Sequence, residues 1–327
     1  MNDIEIRWAR AEERGHILNF IEQMGFNPRD TVTWDGLEMV AMSAWQGGQL
    51  IGAIPLEPRP LRIDDENSAA WAMHETVVAM HPERRGRGVG SAIQRAIFDS
   101  LPDDVPLVSV FREEPDSPAY RWYLKNGFAP AMHIDSWFYD GAPEDKFPAL
   151  DLFNPTDAGV PWDLVDEIWR QARRCGGGFV DQSQRPLRSW LSVHPYRERY
   201  DFTLAIERGR RGHPPAYALL GMGHMHSESK RCDILELLST GGPDDYRLML
   251  DILISNAFKR GCNSTRWPLA EHDPNAQLAQ DLGFEKKWGF DMLIRPIDSS
   301  FILHPFDKLR AGSSSLKNWR YAPIDYI

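Results

Sequence analysis

At 327 residues the chain is about twice the usual domain length of roughly 100 to 200, so two domains are expected. Hydrophobic residues make up 42% of it and charged residues 26%, which excludes global disorder and indicates a soluble globular chain. The formal net charge is -10 with Lys and Arg scattered, which excludes the phosphate-neutralising footprint of a nucleic-acid binder and favours a cationic or amine-bearing partner.

Alternation over residues 4–8 predicts a strand, and apolar positions Ile17, Leu18, Ile21 and Met24 predict an amphipathic helix behind it. Residues 26–37 read as a loop with a short helix. Two strand-like runs, 39–45 and 50–55, flank Gln46-Gly47-Gly48-Gln49, and Gly-Gly at a two-residue turn predicts a hairpin. A strand at 71–80, a helix at 88–100, a strand at 106–111, a helix at 118–126 and a strand at 133–139 complete an α+β domain over residues 1–142. Pro and Gly gather at 141–143 and 154–159, which places a domain boundary there.

The back half repeats the order: strand 233–238, helix 245–259, strand 264–269, a short helix from Pro274 and strand 290–294. Asp116-Ser117-Pro118-Ala119 through Gly127-Phe128 aligns with Asp273-Pro274-Asn275-Ala276 through Gly283-Phe284 with one residue deleted. Residues 148–298 therefore read as a divergent second copy of the first domain, and 299–327 as an extension with an aromatic segment.

The chemistry is carried by residues 77–91, a strand followed by a proline and a basic, glycine-rich turn that opens a helix. Glycines at alternate positions let successive N–H groups converge on an anion with no Cβ in the way, and the helix adds the positive end of its dipole. A dinucleotide fingerprint or a P-loop would need other spacings; here it is Arg85-x-x-Gly88-x-Gly90. This turn, after a strand ending in Met80-His81-Pro82, resembles the acetyl-CoA motif of the GNAT family of N-acyltransferases. The order of elements in residues 1–140 and the segment Tyr120-Arg121-Trp122-Tyr123-Leu124-Lys125-Asn126-Gly127-Phe128 are similar to that family too.

The resemblance implies two GNAT-like halves, each a mixed, mostly antiparallel sheet flanked by helices. It implies that the backbone of Val78, Ala79 and Met80 pairs with the pantetheine arm of acetyl-CoA, a co-substrate used without a metal. Arg85, Gly86, Arg87, Gly88, Val89, Gly90 and Ser91 then hold the pyrophosphate. Tyr123 falls on the position near the thioester sulfur and is expected to protonate the departing thiolate. The expected oxyanion donor is the N–H of Met80 or a neighbour. Counting back six from Met80 puts the family's base position on His74, which shares the even face with Thr76, Val78 and Met80 in a regular strand. Glu75 is the alternative if a bulge intervenes, and removal through water or an acceptor that arrives deprotonated are the remaining routes. The loop residues Trp34, Asp35 and Glu38 fall where the family binds its acceptor.

The second half has Ser239-Thr240-Gly241-Gly242-Pro243-Asp244-Asp245 in place of the turn and Ala279 in place of Tyr123, so it is not expected to bind CoA. His224 and His226 share a strand face, which is no metal site by itself. Cys175, Cys232 and Cys262 are far apart, and no basic segment precedes an apolar run at the amino terminus. No stretch reaches the roughly 18 apolar residues of a membrane span. A cytoplasmic N-acetyltransferase of a small-molecule amine, monomeric or homodimeric, touching neither nucleic acid nor membrane, is the expectation. The alternatives are acetylation of a protein or peptide amino group, and a non-catalytic acyl-CoA-binding scaffold.

Overall fold

The computed structural model describes residues 4–26, 40–62, 69–113, 115–141, 150–172, 179–180, 187–188, 191, 200–209, 214–223 and 230–297. The first half runs β1 (Ile4–Trp8), α1 (Arg14–Gln23), β2 (Val40–Gln46), β3 (Gln49–Arg62), β4 (Ala69–Glu75), β5 (Ala79–Met80), α2 (Val89–Ser100), β6 (Leu107–Glu113), α3 (Pro118–Lys125) and β7 (Ala129–Tyr139). The second runs β8 (Asp151–Phe153), α4 (Trp162–Ala172), β9 (Phe179–Val180), β10 (Tyr200–Arg208), β11 (Pro215–Gly223), β12 (Arg231–Ser239), α5 (Pro243–Lys259), β13 (Ser264–Ala270), α6 (Asn275–Asp281) and β14 (Glu285–Pro296).

The β2–β3 hairpin closes on Gly47 and Gly48 at φ 57° and 80°, the left-handed pair that a two-residue turn requires. β3 runs on past Pro55 to Arg62, beyond the expected stop. The Pro55 carbonyl accepts from the Thr76 N–H, so by alternation Pro58 and Pro60 turn their missing N–H groups away from β4. They face the side on which the described part of β2 reaches β3 no further than its Val40 to Leu56 pair.

One sheet carries both halves, in the order β1-β2-β3-β4-β6-β14-β7-β13-β12-β11-β10-β8. Two pairings are parallel, β4 with β6 and β12 with β13, and each is bridged by a helix, α2 or α5. The repeat read from the sequence is thus a repeat of topology, β-α-β-α-β in each half. The halves do not close separately, however. β14 lies between β6 and β7, while β7 pairs with β13, so each half gives its last strand to the other. A boundary near residue 142 divides the chain but not the sheet.

Alternation sorts the first half into two cores. Met42, Ile54, Leu56, Met73, Met80, Val108 and Val110 face α2 and α3, meeting Ile93, Ile97, Tyr120 and Tyr123. Ala41, Trp45, Ala53, Val77 and Ala79 face α1 at Ile17, Phe20 and Ile21. Gly52 is needed on the α2 side, because a Cβ there would stand 2.7 Å from the Met80 sulfur and 2.9 Å from Ile93 Cδ1.

Candidate active site at the bulged strand

β4 and β5 are one strand broken by a bulge. Leu56 pairs with Glu75 and Ala53 with Ala79, so three steps on β3 oppose four on the other strand. The extra residue inverts the face. Met80 therefore shares the α2/α3 side with Glu75, and His74 lies on the opposite side. The regular-strand expectation that groups His74 with Met80 is corrected by this bulge, because a period of two holds only for an unbroken pleat.

The bulge also opens the sheet. β4 pairs with β6 at Met73 to Val108 and His74 to Ser109, and no further pair follows. Beyond it, the Ala79 backbone and the His81 N–H turn to β3, with His81 N–H bonded to the Ile51 carbonyl. Val78 and Met80 therefore direct their backbone groups into the gap. The Met80 carbonyl accepts from Arg85 Nε at 3.2 Å, which ties the glycine-rich turn to the end of the strand.

In that turn Gly86 and Gly88 are left-handed, at φ 72° and 82°. Gly88 is the residue before α2, and no side chain caps the helix, so the first-turn N–H groups face outward without a side-chain acceptor. Arg85, Gly86, Arg87 and Gly88 are exposed, and Val89 is buried beneath them. Arg84 instead lines a cavity of about 650 Å³ shared with His16, Asn19 and His81 on the α1 side. Trp122 packs within 3.5 Å of the place where a Gly90 Cβ would stand and donates from Nε1 to Ser91 Oγ at 3.1 Å. Helix α3 is thereby seated on the start of α2.

Helix α3 begins at Pro118, with Ser117 Oγ accepting from the Tyr120 N–H. Its inner face presents Tyr120 and Tyr123, both buried. The Tyr123 hydroxyl accepts from Arg112 Nη2 at 2.9 Å, and the guanidinium stands 4.7 Å from the ring centre. Glu75 lies beside it, held by the side-chain amide of Gln94. Burial pushes the Glu75 carboxyl up to about 7, against the opposing pull of Gln94, Tyr123 and Arg112. Burial and the Glu75 charge raise the Tyr123 phenol, so it stays protonated and able to donate. Glu75 Oε2, Gln94 Oε1 and Arg112 Nε are buried with no hydrogen-bond partner, a concentration of unsatisfied atoms at one spot.

His74 Nδ1 lies 3.0 Å from Ser109 Oγ, with its ring 5.1 Å from that of Phe111. Burial, reinforced by the charges of Arg59 and Arg112, holds its imidazole well below the usual range. The structure thus brings Glu75, Met80 and Tyr123 to one face and leaves His74 on the other. Trp34, Asp35, Glu38, His224 and His226 lie outside the described residues. Two participants have no motif. Gln94 is the lone buried polar residue on the apolar face of α2, and that break in the pattern is its sequence signal. Arg112 has none, since its place beside Tyr123 depends on how α3 packs.

At the equivalent place in the second half, Asp245 Oδ2 accepts from the Gly242 N–H at 2.9 Å and Ser239 Oγ from the Gly241 N–H at 3.0 Å. The chain's own side chains thus take the N–H groups of the two glycines that lead into this helix. Among the described residues no group of three or more His, Cys, Asp or Glu side chains could hold a metal ion, and no helix is long and apolar enough to cross a membrane.

Residues 6–128 match the model of the acetyltransferase (GNAT) family. No curated protein matches the sequence. Among solved structures, a GCN5-related N-acetyltransferase from Anabaena variabilis superposes with a TM-score of 0.69 at 15% identity, covering 92% of this chain and 75% of that one. A probable N-acyltransferase from Enterococcus faecalis gives 0.68 at 14% identity, with coverages of 94% and 75%. A tandem GNAT protein from the clavulanic acid biosynthesis pathway gives 0.56 at 13% identity, covering 90% of this chain and 99% of that one. The matched segment holds the bulged strand, the glycine-rich turn and the tyrosine helix together, so residues 6–128 carry a domain of the acetyltransferase (GNAT) family, and over nine-tenths of its length the chain shares the fold of a tandem GNAT protein.

Proposed function

We propose that the chain is an N-acetyltransferase that moves an acetyl group from acetyl-CoA to a small-molecule amine at one site, in the first half. The observation that carries this reading is the bulge, which puts Glu75 beside Tyr123 on the face of Met80, next to a glycine-rich turn whose N–H groups are open. The turn suits a pyrophosphate, and the backbone edge of Val78 and Met80, which no described strand of the sheet pairs, suits the amides of a pantetheine arm laid alongside it.

The proton balance follows from the pair. As the neutral acceptor nitrogen bonds the thioester carbonyl carbon, Glu75 Oε2 takes the proton that nitrogen loses. The Met80 N–H donates to the oxyanion. When the carbon–sulfur bond breaks, Tyr123 gives its proton to the sulfur and recovers one from Glu75, so no net proton is gained or lost. A carboxyl titrating near 7 is suited to both halves of that exchange. His74, neutral and on the far face, fits a structural role through Ser109 rather than this relay.

The test is thiol release from acetyl-CoA in the presence of a panel of small amines and lysine peptides. Turnover with a small amine supports the reading. Turnover with peptides alone favours acetylation of a protein amino group, and calorimetric binding of acetyl-CoA with no turnover favours a scaffold.

A further inference from the structure

The exchanged strand brings a carboxylate of the second half to the edge of the first-half site. Asp291 on β14 pairs across the sheet with Arg112 on one side and His133 on the other. It is buried, and it accepts from the Tyr120 hydroxyl and from His133 Nδ1, the latter at 2.5 Å. Tyr120 and Tyr123 are one turn apart on α3 and point the same way. Arg112 and Asp291 are neighbours on adjacent strands. Four residues thus make a rectangle, two tyrosines on the helix over an arginine and an aspartate on the sheet, with each hydroxyl held by the residue beneath it.

The aspartate is itself fixed. The other ring nitrogen of His133 faces Asp135 Oδ1 at 3.2 Å, and Lys286 Nζ holds the same oxygen at 2.8 Å. The imidazole lies over Gly289, where a Cβ would stand 2.5 Å from Nε2 and 2.7 Å from the Ile134 carbonyl oxygen. Strand β14 therefore keeps a glycine where the clasp needs room and an aspartate where the helix needs an anchor.

We propose that Asp291 is a positioning residue for Tyr123: by anchoring Tyr120 it sets the height and roll of α3 and so the direction of the Tyr123 hydroxyl. This rests on the reading of Tyr123 as the thiolate's proton donor. It gives the second half a defined task in a reaction whose cofactor turn and tyrosine lie wholly in the first.

The full-length chain is compared with Asp291→Asn, Tyr120→Phe, Tyr123→Phe and the Asp291→Asn/Tyr123→Phe double variant, using acetyl-CoA and the amine from the panel with the fastest thiol release. Asp291→Asn and Tyr120→Phe are expected to lower kcat about tenfold, as misplaced reacting groups do, with KM for acetyl-CoA changed less than about twofold. In the Tyr123→Phe background, Asp291→Asn is expected to change kcat by less than about twofold, because its effect runs through the missing hydroxyl. Equal losses with and without Tyr123, or no loss in a folded variant, overturn the proposal. Tyr120→Phe leaves the Asp291–His133 contact intact and serves if Asp291→Asn does not fold. If the parent protein turns over no amine, the functional reading has failed, and amide hydrogen exchange decides the anchoring: faster exchange in 118–125 than in 89–100 on Asp291→Asn keeps it, and unchanged exchange overturns it.

Discussion

Glu75 is a residue through which pH is expected to act on this protein. Its carboxyl titrates at about 7 in the fold against an ordinary value of 4.5, and burial is the largest cause. Between those values the folded chain holds a proton that the unfolded chain has released. The contribution is therefore complete below 4.5 and is lost as pH rises through 7, a swing of about 3 kcal/mol at ~1.4 kcal/mol per unit. Glu75→Gln removes the titration. Urea melts at pH 4.5 and pH 8 are expected to show the parent losing about 3 kcal/mol relative to the variant across that range. A gap that does not change with pH would mean that the carboxyl is solvated. For activity the sign is opposite, since Glu75 must be ionised to serve as the proposed base: kcat/KM is expected to rise with pH through about 7, and Glu75→Gln to lower it ~10²-fold or more and flatten that limb. A variant that keeps the parent's rate and profile removes Glu75 from the proton path.

At the scale of elements, the two parallel crossovers differ in how they enter their helices. Before α2, Gly88 stands at φ 82° with nothing within 4 Å of a Cβ, so the backbone and not crowding demands glycine there. Gly88→Ala is expected to cost about 1–2 kcal/mol of stability through left-handed strain and to displace the N–H groups that follow. Calorimetry with acetyl-CoA is expected to show its affinity falling more than about tenfold, the loss of a well-aimed backbone contact or two. An unchanged affinity would show that the turn does not hold the donor. Before α5 the N–H groups of Gly242 and Gly241 are already bonded to Asp245 and Ser239. A carboxylate in that position repels a phosphate and fills its place.

At the scale of the whole molecule, the exchange of β7 and β14 makes the halves depend on each other. A fragment of residues 1–142 would leave β6 without β14 and β7 without β13 or β14, exposing long unpaired edges. That fragment is expected to aggregate or to lack a cooperative melt, whereas the full chain unfolds in one transition. Two separate transitions in calorimetry would show that the halves fold alone. Titration of the full chain with acetyl-CoA is expected to saturate at one site per chain, because the second half has Ala279 where the first has Tyr123 and a self-capped helix where the first has an open turn. Two sites would overturn the assignment.

The sequence by itself determined the GNAT-type domain of residues 6–128, the repeat and the glycine-rich turn. Arg85, Gly88 and Gly90, together with Tyr123 before Gly127-Phe128, act through local geometry, and local geometry is written in adjacent residues. The hairpin at Gly47 and Gly48 was legible for the same reason. Which of His74 and Glu75 faces the tyrosine was not, because one bulged residue inverts the alternation and nothing between Glu75 and Ala79 marks it. The places of Arg112 and Asp291 were hidden more deeply. Arg112 meets Tyr123 through the packing of α3 on β6, and Asp291 meets Tyr120 only because β14, some 170 residues from α3 along the chain, enters the sheet beside β6. Pairing between strands so far apart is decided by where two half-sheets find complementary edges, and only the tertiary structure records that choice.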